Sequence, residues 1–179
     1  MNKTDSLELF WRPIVNQFLT GATVLPPFLG LEETAYFSLL EALNICDVPE
    51  QHQLPGRQLR RELMVMRKAE FDQIYLLLEQ YINDHNLSAL ENEAKLACQL
   101  ISCGCLGSAH LWHDLGFPER PRLTEFFTFY FPELTALNSN NMRWKRFLYK
   151  QLCENGGDYV CRSPSCETCS SYHECFISE

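Results

Sequence analysis

The chain has 179 residues, 46% of them apolar and 21% charged, which suits one domain with a real core and is too apolar for a disordered chain. Its 15 basic residues face 23 acidic ones. The resulting net charge of −8 disfavours nucleic-acid binding, where phosphate contacts supply most of the affinity. The opening residues show no basic segment followed by an apolar one, and no apolar run reaches the roughly 18 residues of a membrane span. A cytoplasmic protein with reduced thiols is therefore expected, with no membrane and no nucleic-acid partner.

The periodicities predict an all-α fold. A first helix covers 5–20, with Leu7, Leu9, Phe10, Ile14, Phe18 and Leu19 mostly at helical spacing and Pro13 expected to kink or break it. A loop with Pro26 and Pro27 follows to Gly30. Residues 32–45 place Tyr36, Leu39, Leu40 and Leu43 on one face. Pro49 and Pro55 bracket a polar connector. The longest predicted helix is 57–83, where Leu59, Leu63, Met66, Ile74, Leu77, Leu78 and Tyr81 form one stripe. Ser88 and Glu91 have capping-box spacing and open a helix to about Cys105, with Leu90, Ala94, Ala97, Cys98, Ile101 and Cys105 inward. Short helices are expected at 109–115, ended by Gly116, at 122–130, and from Pro132. The last helix is 141–154, with Trp144, Phe147, Leu148 and Leu152 inward, and Gly156 and Gly157 stop it. The composition then changes. The organisation expected is a single bundle-like helical domain over 1–156 and a cysteine-rich tail over 157–179.

That tail holds Cys161, Cys166, Cys169 and Cys175 in the pattern C-x4-C-x2-C-x5-C. Four thiolates within fifteen residues can wrap one multinuclear centre, with serines and Pro164 shaping the turns between them. Structural zinc is the alternative, giving a zinc-stabilised helical interaction module. Zinc sites, however, usually use two paired knuckles, and only one C-x2-C is present. The spacing leaves both readings open. An iron–sulfur DNA-repair enzyme is remote, because the chain lacks a glycine-rich hairpin and has the wrong charge.

Cations gather just before the tail. The window 141–162 holds Arg143, Lys145, Arg146, Lys150 and Arg162 against Glu154 and Asp158, a net +3, while the remainder has 10 basic and 21 acidic residues. Arg143, Arg146 and Lys150 fall at i, i+3 and i+7 and share one helical face, which can attract an oxyanion such as molybdate or support an anionic cluster. His110 and His113 are possible metal ligands, although packed histidines beside tryptophan are common. His173 lies inside the tail. Cys98 and Cys105 share a face with Ile101 and read as core, whereas Cys103 lies off that face; Cys46 and Cys153 read as core or helix-end residues. No nucleophile elbow, phosphate-cradling loop or dinucleotide fingerprint occurs.

The segment from Asn141 through Met142, Arg143, Trp144 and Lys145 to Cys153, joined to the four tail cysteines, resembles the NifQ family of nitrogen-fixation proteins. His110-Leu111-Trp112 and the residues to Gly116 resemble a further segment of that family, and Arg60 to Leu63 fits more loosely. The resemblance implies an iron–sulfur centre on Cys161, Cys166, Cys169 and Cys175, and a molybdenum site to which His110 contributes. It implies a metal carrier and no turnover enzyme. Such a carrier would supply molybdenum to the proteins that assemble the nitrogenase iron–molybdenum cofactor. No role transfers to Cys98, Cys103, Cys105, His113 or His173.

Overall fold

The computed structural model describes residues 6–46, 48, 56–83 and 92–155, and among these every regular element is helical. The tail from 156 onward, with its four cysteines and His173, lies outside the described residues. So do Pro49, Pro55, Ser88, Leu90 and Glu91.

The chain enters through a π-helical turn, Leu7–Trp11, that runs straight into α1 (Arg12–Leu19). Pro13 follows just after the π-helical turn, and that turn is where the helix adjusts to the missing N–H, so the expected break does not form. A 3-10 turn, Pro27–Gly30, occupies part of the predicted loop, and α2 (Glu33–Ala42) buries Tyr36, Leu39 and Leu40 as the periodicity requires.

The predicted helix 57–83 is two helices, α3 (Arg57–Met66) and α4 (Lys68–Glu79), divided at Arg67 (φ −105°, ψ 27°). Arg67 is tied there. Its guanidinium pairs with Glu70 at 2.6 Å and donates to the Leu106 carbonyl at 2.7 Å. The change of direction takes the α3 half of the stripe out of the core. Leu59 is 60% and Met66 82% exposed, whereas Ile74, Leu77 and Leu78 are buried.

The central helix is α5 (Glu93–Cys105), buried on nearly every side, with α4 packed along it. Burial reaches Cys103, off the face shared by Cys98, Ile101 and Cys105, as well as that face itself. Its thiol rests against Gly30 and lies 3.5 Å from the Met64 sulfur, under α3 and the 3-10 turn. Gly30 has φ +78°, and an added Cβ would overlap the Cys103 sulfur, so glycine is required on both counts.

Three short helices follow: α6 (Leu111–Leu115), α7 (Arg120–Tyr130) and α8 (Pro132–Leu137). The last is α9 (Trp144–Glu154), whose inward residues Trp144, Phe147, Leu148 and Leu152 are those predicted. An aromatic core of Phe10, Trp11, Phe117, Phe126 and Tyr130 joins the π-helical turn, the residues after α6 and α7. At its centre the buried Glu93 carboxylate accepts from Trp11 Nε1 at 3.2 Å and from the Tyr130 hydroxyl. Burial, and then the Glu93 charge, push the Tyr130 phenol well above its ordinary value, so it remains a donor. A second polar tie closes the other side, where the Tyr149 hydroxyl of α9 donates to Glu70 of α4.

A cationic cleft as candidate functional site

The start of α9, the start of α7 and the segment before α6 enclose a cleft of about 320 Å³. Four cationic side chains line it, Arg120, Arg143, Lys145 and Arg146, together with His110 and the indoles of Trp112 and Trp144, and among the described residues no carboxylate does. In a chain of net charge −8, that is a local excess of positive charge.

Local chain chemistry builds each wall. Asn141 takes φ +52°, which asparagine tolerates, and Arg143 is extended as the N-cap of α9. Asn138 clamps this turn, accepting from the Met142 N–H at 2.8 Å and donating to the Met142 carbonyl at 2.9 Å. Arg120 crosses from α7 and donates to the Asn141 carbonyl at 2.8 Å. Arg143 and Arg146, one turn apart, then face the same space, and the positive end of the α9 dipole adds to their potential. Trp144 is fixed by stacking on Phe127, with centroids 3.8 Å apart and planes within 2°, and by donating from Nε1 to Thr124 at 3.2 Å.

The opposite wall is segment 107–110, which carries His110, the exposed N-cap residue of α6. Lys145 reaches across from α9 to this segment. Its ammonium pairs with the fully buried Asp114 and donates to the Gly107 carbonyl at 2.9 Å.

The cleft thus unites His110, Arg143 and Arg146 from the sequence reading. It excludes Lys150, which lies about 10 Å further along the axis and pairs with Glu154 at 3.4 Å. Arg120 and the tether of Lys145 escaped the sequence reading. Arg120 belongs to a helix 21 residues before Asn141, and no periodicity links the two. His113 is exposed, lies edge-on to Trp112 and does not line the cleft.

Cys98, Cys103 and Cys105 are buried within α5. Burial pushes the Cys103 and Cys105 thiols up to about 12, and raises Cys98 further. A metal-ligating cysteine must be a thiolate. Among the described residues, no three His, Cys, Asp or Glu side chains converge on a metal position. No helix among them is long and apolar enough to cross a membrane.

The sequence matches the family model named NifQ over residues 10–177. Protein NifQ of Azotobacter vinelandii is 38% identical over 186 aligned residues, covering 96% of this chain and 89% of that protein. Protein NifQ of Klebsiella pneumoniae is 32% identical over 158 residues, covering 87% and 90%. A shorter match, 39% identical over 87 residues and 49% of this chain, joins it to protein NifQ of Rhodobacter capsulatus. No solved structure matches the chain.

Proposed function

The chain belongs to the NifQ family of nitrogen-fixation accessory proteins, and on that premise we propose that it is a carrier that takes up molybdenum as molybdate and supplies it to assembly of the nitrogenase iron–molybdenum cofactor. The observation that carries this reading is the cleft where Arg120, Arg143 and Arg146 gather with no carboxylate among its described lining residues. Molybdate is a tetrahedral dianion. Planar guanidinium forks suit such oxygens, and Arg120, Arg143 and Arg146 bring three to one place. His110 adds a donor that becomes a cation when protonated.

The tail would supply the second half of the function. Cys161, Cys166, Cys169 and Cys175 form a soft donor set that fits iron and sulfide, and an iron–sulfur centre there would give molybdenum a site to join after its oxyanion stage. Arginine and histidine donors suit the oxyanion and thiolates suit the cluster, so the two kinds of ligand divide the task. The acceptors would be the cofactor-assembly proteins.

The test uses anaerobically purified full chain. Iron, zinc and molybdenum are measured in the wild type and in a variant carrying Arg120→Gln, Arg143→Gln and Arg146→Gln. The variant should lose molybdenum and keep iron. Zinc without iron, in a colourless protein, refutes the carrier reading, as does unchanged molybdenum in the triple variant.

A further inference from the structure

Two of the four residues in the wall segment 107–110, Gly107 and Ala109, are bonded to one buried ion pair, and the backbone of Asp114 holds a third, His110. The Asp114 carboxylate accepts from the Ala109 N–H at 3.1 Å as well as from Lys145. The Lys145 ammonium donates to the Gly107 carbonyl at 2.9 Å. The Asp114 N–H donates to the His110 carbonyl at 2.9 Å. Asp114 is completely buried, the Lys145 side chain is 16% exposed, and the second carboxylate oxygen of Asp114 is buried with no hydrogen bond. An ion pair so placed is a poor source of stability, because desolvation offsets its attraction. It also adds no net charge to the cleft. Its visible effect is geometric: it fastens the wall that carries His110 to the start of α9, where Arg143 and Arg146 emerge.

We propose that Asp114 and Lys145 are positioning residues of the oxyanion site, holding the His110 wall against the arginine wall so that both reach one tetrahedral dianion. This rests on the reading of the cleft as the molybdate site. Gly107 belongs to the same device. Its position lies against the Asp114 carboxylate, so that a Cβ there would overlap Oδ2 and push the pair apart. The arginines supply the attraction, and the pair sets where His110 meets it.

Charge and position predict opposite signs, which makes the inference testable. Molybdate binding to the full chain is measured by equilibrium dialysis, well below the melting temperature, for the wild type, Asp114→Asn and Gly107→Ala. Asp114→Asn leaves the cleft one unit more positive, so a site that only sums charge should bind molybdate more tightly. If the pair positions the wall, binding weakens by about 10- to 100-fold, as is usual when a residue behind a ligand is lost. Gly107→Ala changes no charge and should weaken binding in the same direction. Lys145→Arg keeps a cationic donor for both oxygens and should bind close to the wild type.

Equal or tighter binding by Asp114→Asn, or unchanged binding by Gly107→Ala, overturns the assignment. A lowered melting temperature with unchanged affinity also overturns it, since the role is then stability alone. So does loss of folding in both variants. A wild type that binds no molybdate removes the carrier reading along with this one, whereas a wild type that binds, beside unaffected variants, removes only the positioning role.

Discussion

Replacing Cys103 with Ala should make the protein less sensitive to alkali. Cys103 is 4% exposed and its thiol is pushed up to about 12 by burial, then by Cys105, from an ordinary value of 9.0. The folded state therefore keeps the proton at a pH where the unfolded chain releases it. Because the folded value is raised for a group that is neutral when protonated, its contribution is fully present below pH 9. It falls as pH rises from about 9 to 12. At pH 10 the unfolded thiol is mostly ionised and the folded one is not, a loss of about 1.4 kcal/mol relative to neutral pH, growing to about 4 kcal/mol by pH 12.

Urea unfolding of the wild type and Cys103→Ala at pH 8 and pH 10 isolates this quantity. The substitution itself costs roughly 1–2 kcal/mol at both pH values for the lost sulfur and the space it leaves. The gap between the proteins should narrow by about 1.4 kcal/mol at the higher pH, and tyrosines and other thiols cancel in the comparison. A gap that stays constant, or a Cys103 in the folded protein that reacts with thiol reagents as fast as a free cysteine, refutes the argument. It would mean that this sulfur is a reactive or metal-binding thiolate and that the core has been misread.

Gly30→Ala should destabilise by more than the roughly 1–2 kcal/mol of a left-handed alanine, because its Cβ overlaps the Cys103 sulfur. In a Cys103→Ala background only the conformational part should remain, and urea titrations of the four proteins measure the coupling. Glu93→Gln weakens the acceptor shared by Trp11 and Tyr130 and should cost about 1–3 kcal/mol, read from the same titrations. Cys166→Ser or Cys169→Ser should abolish iron retention, measured by metal analysis, and leave the helical circular dichroism nearly intact; a collapse of helicity would make the tail part of the core.

Apolar spacing was a good guide wherever a helix lies flat on the core. It found α2, the inward residues of α9 and the α4 half of the long stripe. It failed at Arg67, because the stripe continues through a residue whose side chain is held by Glu70 and the Leu106 carbonyl, and hydropathy does not register such a tie. It could not tell that Cys103, off the face of Cys98 and Cys105, is buried too, since a helix buried all round has no outward face. Half the cleft was legible: His110, Arg143 and Arg146 stand in segments whose composition marks them. Arg120 was not, because its place depends on how α7 meets the turn before α9. Lys150 stays outside the cleft for a simple reason. Sharing a helical face is a statement about angle, and the cleft takes only the first turn of that face.

On the proposed division of ligands, distance along α9 should also separate the effects on molybdenum and iron. Helix α9 has eleven residues, so its cationic end and its C-terminal end lie about 16 Å apart. Screening in 0.15 M salt acts over about 8 Å, so Arg143 and Arg146 exert little direct force on groups near Asn155. They act at full strength on an anion seated between them. Converting Arg120, Arg143 and Arg146 to glutamine should therefore lower molybdenum loading and leave iron content nearly unchanged. In the wild type, molybdate affinity should fall with added salt while iron stays bound. The opposite result has a definite meaning. If the triple variant lost iron in proportion to molybdenum, the tail thiolates would have to sit at the cleft itself. High salt would then release both metals together, and the division of ligands between the cleft and the tail would be wrong.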